Sequence, residues 1–235
     1  MPDLFVIAGP NGAGKSTAAP RLLGGRLKIA EFVNADVIAA GLSAFDPESV
    51  ALNAGRIMLK RLYALADSGA NFAFETTLAS RHLAAWIATL RRERGYRFHL
   101  AYLWLPSAEE SILRIAQRVR LGGHSVPPDI VRRRYERGLA NFLELYSPIA
   151  DWWGLYDNSA TTRLVAERSV GKPMRTAEPE LWRKIMKQME TREQERVYHE
   201  EQGESMVMGV PVSEITEALR QASLDAWRRH KALGH

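Results

Sequence analysis

The stretch FVIAGPNGAGKST, residues 5–17, constrains the fold of this chain more than any other feature. An apolar run stops at Gly9, four residues pass, and Gly14, Lys15 and Ser16 complete the pattern GxxxxGKS. Glycines in such a loop permit backbone angles and close approaches that a side chain would block. Because the loop opens a helix, several backbone N–H groups and the helix dipole face one anion. The stretch predicts a nucleotide phosphate site made by Gly9, Pro10, Asn11, Gly12, Ala13, Gly14, Lys15, Ser16 and Thr17.

Two side chains of this loop carry the expected chemistry. Lys15 can bridge the β- and γ-phosphates of a bound nucleotide, and the Ser16 hydroxyl can coordinate Mg²⁺. The expected ligands are therefore ATP and Mg²⁺, with GTP as an alternative nucleotide. A transporter-type ATPase would also carry an LSGGQ-like segment and a strand that ends in Asp-Glu, and this sequence has neither.

Composition narrows the class of protein. The 235 residues are 46% hydrophobic and can bury one full core, with room for an appendage. No apolar run approaches the roughly 18 residues of a membrane helix, and no signal-peptide pattern opens the chain, so we expect a cytoplasmic protein without a membrane partner. Cysteine is absent, which excludes disulfides and thiolate chemistry. The net charge of +5 favours anionic partners, but it does not choose among nucleotides, sugar phosphates and nucleic acid.

Short β-like runs alternate with helical patterns, which predicts an α/β fold with a central, mostly parallel sheet. The predicted strands are Leu4 to Ala8, Glu31 to Asn34, Asn71 to Glu75, His99 to Leu105 and Gly154 to Asp157. The predicted helices begin at Lys15, Ser49, Ser80, Ser107, Pro127, Pro179 and Val212. The capping-box pattern at Ser107 predicts that Glu110 reaches back to the start of its helix. We expect a kinase-like domain over 1–175, including a lid near 118–138, and a helical extension over 176–235.

Three polar residues are expected at the edge of the sheet where parallel strands end and ligands bind. Glu75 ends the third strand and can hold Mg²⁺ through water or contact an acceptor, unless it is a helix cap or a surface acid. Asp36 follows the second strand and is our candidate for the base that takes the proton of an acceptor alcohol, with a turn residue as the alternative. Asn34 either orients the substrate or forms a turn.

A group of arginines surrounds a Gly-Gly break in RVRLGGHSVPPDIVRRRYERG, residues 118–138. Two helices rich in guanidinium groups beside such a hinge are typical of a lid that closes over a triphosphate. A solvated helix face would also be rich in arginine, so we expect only two or three of them to act. Neighbouring positions on a helix cannot all face one site. The candidates are Arg118, Arg120, Arg133 and Arg134, together with His124 as a substrate contact or an incidental loop histidine.

In their order and spacing these segments resemble the zeta toxin group of P-loop kinases. The resemblance covers roughly residues 4–170 and includes the phosphate loop, NADVI at 34–38, FETT at 74–77, RVRLGGHSVP at 118–127, RRRY at 132–135 and YDNS at 156–159. Better-studied members phosphorylate the amino-sugar of UDP-N-acetylglucosamine. The GGHSVP hinge is more similar to a bacterial subgroup labelled predicted ABC-type ATPase.

This resemblance implies roles for individual residues. Lys15 and Ser16 would contact phosphate and magnesium, Asp36 would activate the sugar hydroxyl, and Glu75 and Thr76 would lie at the acceptor or metal. One arginine from 118 or 120 and one from 132–134 would lie over the phosphates. Asn158 would contact the nucleotide base or form a strand-end turn.

The resemblance also implies a nucleotide-sugar substrate and an antitoxin protein as partner. The C-terminal helices would then inhibit the kinase in cis, dock the antitoxin, or only cover a sheet edge. Two other interpretations stay open at this point. The acceptor could be a nucleoside, another small alcohol or a nucleic-acid end. Alternatively, the protein could be a nucleotide-dependent interaction module without an acceptor.

Overall fold

The structure is a computed structural model that describes residues 1–23, 29, 31–46, 49–201, 206–207 and 210–211. The helix expected over 212–231 lies outside these residues. The chain forms two compact units, Met1–Trp182 and Arg183–His235. The domain boundary expected at 175/176 stays a prediction.

A seven-stranded sheet forms the centre of the first unit, in the order β2-β3-β1-β4-β5-β6-β7. Strands β1 to β5 are parallel to one another, whereas β6 pairs antiparallel with β5 and with β7 at one edge. Because the parallel strands share one direction, their carboxyl ends form a common edge. The strands are β1 Asp3–Ala8, β2 Glu31–Val33, β3 Phe72–Thr76, β4 Arg97–Trp104, β5 Trp152–Asp157, β6 Arg163–Ser169 and β7 Arg175–Thr176.

Helices cover both faces of this sheet, as a parallel sheet requires. On one face Ala19 of the first helix packs with Phe5, Ile7 and Ala101 of the strands. On the other face Trp86 of the fourth helix lies against Phe72. The helices are α1 Lys15–Leu23, α2 Ala35–Leu42, α3 Ala51–Asp67, α4 His82–Arg94, α5 Ala108–Arg120 and α6 Pro128–Asn141, followed by a π-helix Phe142–Tyr146 and a 3₁₀ turn Ser147–Ile149.

The second unit is described only in part. Helix α7 spans Pro179–Glu201, within one residue of the predicted helix, and two short strands, β8 Met206–Val207 and β9 Val210–Pro211, pair antiparallel. Of the helices in the described part of the chain, none combines the length and the apolar character needed to cross a bilayer.

The predicted fold class is confirmed, and the differences have local causes. Asn34 caps a helix, α2, that the sequence analysis did not separate from its neighbours. The antiparallel strands β6 and β7 follow Asn158, where the parallel pattern fades. Ser107 accepts a hydrogen bond from the backbone N–H of Glu110 as predicted. The Glu110 carboxylate does not reach back, because it accepts a hydrogen bond from Arg114 one turn later, at 2.8 Å.

Candidate active site at the phosphate loop

The loop between β1 and α1 has a backbone that only glycine adopts readily. Gly9, Gly12 and Gly14 have φ angles of 141°, 75° and 74°. A Cβ atom on Gly9 would lie 2.2 Å from the carbonyl oxygen of Leu103 on β4. The glycines therefore let the loop pass close to the neighbouring strand and lead into the N-terminus of α1, where backbone N–H groups bind phosphate.

Lys15 is held inside this loop. Its Nζ donates a hydrogen bond to the carbonyl of Pro10 at 2.9 Å, and the residue is 7% exposed. Burial lowers the pKa of Lys15, the carboxylates of Glu75 and Asp36 oppose that shift, and Arg118 and Arg134 add to it. These electrostatic interactions join residues from five different elements around one ammonium group.

Ser16, Glu75 and Asn34 form a hydrogen-bonded group at the ends of neighbouring elements. The Ser16 hydroxyl donates to Glu75 Oε2 at 2.9 Å, and Asn34 Nδ2 donates to the same oxygen at 3.0 Å. Asn34 also caps α2, because its Oδ1 accepts from the backbone N–H of Asp36 at 2.7 Å. A hydroxyl and a carboxylate oxygen this close are hard ligands, and Mg²⁺ is typically bound by one or two carboxylates together with substrate phosphates. The pair therefore fits Mg²⁺.

Asp36 lies in the first turn of α2, beside this group. Its side chain is 53% exposed, and its Oδ2 is 3.5 Å from His124 Nε2. The carboxylate opposes the lowering of the pKa of Lys15 and Arg134. Its place next to the site is given by Asn34, two residues earlier, whose amide is hydrogen-bonded to Glu75. The exposed carboxylate is therefore accessible to an acceptor alcohol from solvent.

The loop between α5 and α6 wraps around Arg118. The Arg118 guanidinium donates through Nη2 to the His124 ring at 3.1 Å and to the His124 carbonyl at 3.0 Å. Its Nε is buried and lacks a hydrogen-bond partner among the described residues. A Cβ atom on Gly123 would lie 2.5 Å from Arg118 Cγ, so the hinge glycine makes space for this side chain. The His124 ring therefore lies between Arg118, from which it accepts a hydrogen bond, and the carboxylate of Asp36.

The other candidate arginines differ in position. Arg134 Nη1 lies 3.5 Å from Asn11 Oδ1 of the phosphate loop, and burial lowers the pKa of Arg134. Arg133 is half-buried next to Arg134. Arg120 is exposed at the end of α5, and no contact joins Arg120 to the other site residues that the structure describes. Arg118 and Arg134 are thus the two guanidinium groups that the fold brings to Lys15.

Asn158 and Thr76 make contacts within the protein. Asn158 Nδ2 donates to the carbonyl of Ala13 at 2.7 Å and so supports the phosphate loop from β5. The Thr76 hydroxyl accepts from the backbone N–H of Leu78 at 3.1 Å. The expected contacts of Asn158 with the nucleotide base and of Thr76 with the acceptor stay predictions. The expected contact of Thr17, which is exposed, with the nucleotide also stays a prediction.

Arg114 is a supporting residue that the sequence analysis did not single out. Its guanidinium donates to the carbonyl of Asn158 at 2.9 Å and to Glu110 at 2.8 Å. Its Cβ is 3.2 Å from where a Cβ on Gly12 would lie, so α5 packs directly on the loop. One feature of the sequence did indicate a role for Arg114: it precedes Arg118 by one helical turn, so both lie on the same face of the helix.

A cavity of about 240 Å³ lies at the opposite end of the sheet, where β4 and β5 begin. Its arginines are paired: Arg91 with Asp151 at 2.7 Å, and Arg97 with Asp3 at 2.6 Å. The polar groups that converge on the phosphate loop are therefore the better candidate for a functional site.

Comparison with known proteins agrees with this architecture. The family model described as AAA domain matches residues 4–145. An uncharacterised protein of Haemophilus influenzae is 29% identical over 127 residues, which make up 54% of this chain and 88% of that protein.

Two solved structures share the fold. A chain of the AvrRxo1-ORF1:-ORF2 complex with ATP superposes with a TM-score of 0.61 at 20% identity. The superposition covers 79% of this chain but only 63% of the AvrRxo1 chain. A structure from the PezAT chromosomal toxin-antitoxin system of Streptococcus pneumoniae has a TM-score of 0.55 at 18% identity, with 83% of this chain and 87% of that chain covered. With its P-loop kinase-like α/β fold and a family match over more than half of its length, this chain belongs to the AAA domain family.

Proposed function

We propose that this protein is an ATP-dependent phosphotransferase that moves the γ-phosphoryl group to a hydroxyl of a small metabolite. The observation that carries the proposal is the position of Asp36, whose accessible carboxylate lies in the first turn of α2, directly after the Asn34 cap that is hydrogen-bonded to Glu75. A protein that only switches on nucleotide binding does not require a carboxylate for an acceptor alcohol. A phosphotransferase does, because the alcohol must be oriented and must lose its proton.

The phosphate loop and the two arginines bind and orient the nucleotide in this mechanism. Lys15 contacts the β- and γ-phosphates, and the backbone N–H groups of the loop surround them. Ser16 and Glu75 would hold Mg²⁺, which when bound neutralises charge on the phosphate oxygens. Arg118 and Arg134, whose charges act on Lys15, supply the guanidinium donors over the transferring group.

Asp36 moves the proton. The acceptor alcohol gives its proton to the Asp36 carboxylate while its oxygen forms a bond to the γ-phosphorus. The bond between that phosphorus and the oxygen that bridges it to the β-phosphate breaks, and ADP leaves. His124 accepts a hydrogen bond from Arg118 and lies 3.5 Å from Asp36, so its ring is placed beside both the base and the lid arginine.

For the acceptor we propose a UDP-activated amino-sugar such as UDP-N-acetylglucosamine. The support is the resemblance of the motifs to the zeta toxin group, together with the fold shared with the PezAT structure. The same likeness supports an antitoxin protein as a partner. One structural neighbour comes from a system named as toxin-antitoxin, and the other is named as a complex of two proteins. We propose the extension after residue 175 as the segment where such a partner would dock.

A direct transfer assay tests the proposed function. The protein is incubated with ATP, Mg²⁺ and a panel of nucleotide sugars, nucleosides and other small alcohols, and mass spectrometry follows the appearance of a product heavier by one phosphoryl group. We expect a single product from a UDP-amino-sugar. A product from a nucleoside instead would replace the acceptor class, and no product across the panel would favour the interaction-module interpretation.

The magnesium assignment predicts a specific phenotype for Glu75→Gln. The amide keeps the size of the side chain but loses the charge that attracts Mg²⁺, so the gain in ATP affinity on adding Mg²⁺ should fall by about tenfold. Affinity for ATP in EDTA should stay the same or rise slightly, because Lys15 is kept and one anion that acts on it is removed. Isothermal titration with ATP under both conditions measures this. An unchanged Mg²⁺ effect would show that Glu75 does not serve the metal.

A further inference from the structure

The segment that follows Glu75 and Thr76 has no regular secondary structure of its own. It runs over residues 77–81, from the end of β3 to the start of α4. Leu78, in its middle, has a positive φ of 57° although it is fully buried and is not a glycine. Such a conformation persists only where the surroundings fix it, and these positions cluster at functional sites. Something outside the segment must therefore hold it.

That support comes from one stretch of chain, α6 and the π-helix that continues it. A Cβ on Gly138 would lie 2.3 Å from the carbonyl oxygen of Thr77, so the helix backbone touches the segment there. Asn141 Nδ2 donates to the carbonyl of Leu78 at 2.7 Å. Tyr146 donates through its hydroxyl to the carbonyl of Ser80. This stretch therefore donates hydrogen bonds to two carbonyls of the segment, those of Leu78 and Ser80, and packs closely against a third, that of Thr77.

The π-helix explains how two of these partners reach the same segment. Asn141 and Tyr146 are five residues apart, and on an α-helix they would be separated by about 140° around the axis. A π-helix closes its turns from residue i to residue i+5, so residues five apart lie on one side. The irregular turn Phe142–Tyr146 thus places Tyr146 above Asn141. Both side chains are buried, at 6% and 0% exposure.

The same helix reaches the phosphate loop at its other end. Arg134 lies beside Asn11, and the buried Tyr135 hydroxyl donates to the carbonyl of Leu105 at 2.8 Å, just beyond β4. One rigid element therefore touches the loop, the end of β4 and the segment behind Glu75. We call α6 and the π-helix together, residues 128–146, the brace.

We propose that Asn141 and Tyr146 are positioning residues: through the brace they hold Glu75 and Thr76 at the distance from the phosphate loop that metal-supported nucleotide binding requires. The inference rests on the proposed function, since it assigns a purpose to the support behind the metal carboxylate. Neither residue touches the nucleotide. Their effect passes through the backbone of 77–81 to the end of β3, as outer-shell hydrogen bonds do at other metal sites.

The structure offers a matched control for a merely structural role. Tyr96 is a second buried tyrosine, 2% exposed, whose hydroxyl donates to the carbonyl of Ala70 at 2.9 Å. Ala70 lies at the opposite end of β3 from Glu75. Tyr96→Phe and Tyr146→Phe each remove one buried hydroxyl that donates to a backbone carbonyl. They differ in which end of β3 loses its support.

The test compares three variants with the wild-type chain: Asn141→Ala, Tyr146→Phe and Tyr96→Phe. Thermal melting first shows that each variant is folded. Isothermal titration then measures ATP affinity, once in Mg²⁺ and once in EDTA. We expect the Mg²⁺-dependent gain in ATP affinity to fall by about tenfold in Asn141→Ala and by a smaller factor in Tyr146→Phe. Affinity in EDTA should stay within about twofold of wild type in both. Tyr96→Phe should retain the full gain, even where its melting temperature falls as much as that of Tyr146→Phe.

Two outcomes would overturn the proposal, and they differ from each other. If the wild-type protein gains affinity with Mg²⁺ and the two brace variants keep that gain, the brace is structural only and the proposed function stands. If the wild-type protein shows no Mg²⁺-dependent gain, the Ser16–Glu75 metal site itself is wrong, and the role of the brace is lost with it. Tyr146→Phe keeps the test decisive should Asn141→Ala not fold, because it removes a single hydroxyl.

Discussion

Replacing Lys15 by alanine is expected to lower the affinity for ATP by at least about a hundredfold. The side chain is buried within the loop, and its ammonium lies where the β- and γ-phosphates are expected. Hydrogen bonds to charged groups contribute about 1.5–3 kcal/mol each, and two such bonds to phosphate exceed the 2.8 kcal/mol of a hundredfold change. Titration with ATP in the presence of Mg²⁺ measures the effect directly.

Lys60→Ala is the matched control for this experiment. Lys60 is an exposed lysine on α3, so its removal changes the net charge equally without touching the loop. The control should bind ATP within about twofold of wild type, because exposed charges at a distance are screened by salt. If Lys15→Ala also kept its affinity while remaining folded, the phosphate-loop interpretation of residues 9–17 would be wrong.

The features that sequence reasoning predicted are those set by contiguous residues or by the direction of strands. The loop Gly9–Thr17 is specified by its own glycines, since their backbone angles require no distant partner. The meeting of Glu75, Asn34 and Ser16 follows from strands that end at one edge, which a parallel sheet imposes.

Other features depend on contacts between distant parts of the chain, and no local pattern encodes them. Asn158 supports Ala13 across 145 residues, and Asn141 supports Leu78 across 63. The π-helix Phe142–Tyr146 ends at a tyrosine that donates to the carbonyl of Ser80, 66 residues away, whereas its own sequence reads as the continuation of an α-helix. The sequence also could not identify which arginines face the site. Helical spacing showed that the side chains of Arg118 and Arg120 point in different directions, but it did not show which of the two faces Lys15.

Replacing Asp36 by asparagine is expected to separate binding from transfer. The amide has almost the same shape and can still orient an alcohol, but it cannot accept the proton. General-base catalysis typically contributes a factor of about 10²–10⁴, and the rate of phosphoryl transfer should fall by that factor. ATP affinity should stay the same or rise slightly, because Asp36 is an anion close enough to raise the pKa of Lys15 and thus repels phosphate.

Two measurements on the Asp36→Asn variant carry this prediction: ATP affinity by titration, and the rate of transfer to the acceptor that the panel identifies, with transfer to water followed in parallel. Asp67→Asn is the matched control, since Asp67 is exposed at the end of α3 and pairs with Arg94 at 2.9 Å, away from the loop. The control should transfer phosphate at the wild-type rate. An Asp36→Asn enzyme that did the same would remove the general base from the mechanism. An Asp36→Asn enzyme that lost ATP binding together with transfer would instead assign Asp36 to the architecture of the loop, because the loss of a base lowers transfer and leaves ATP binding intact.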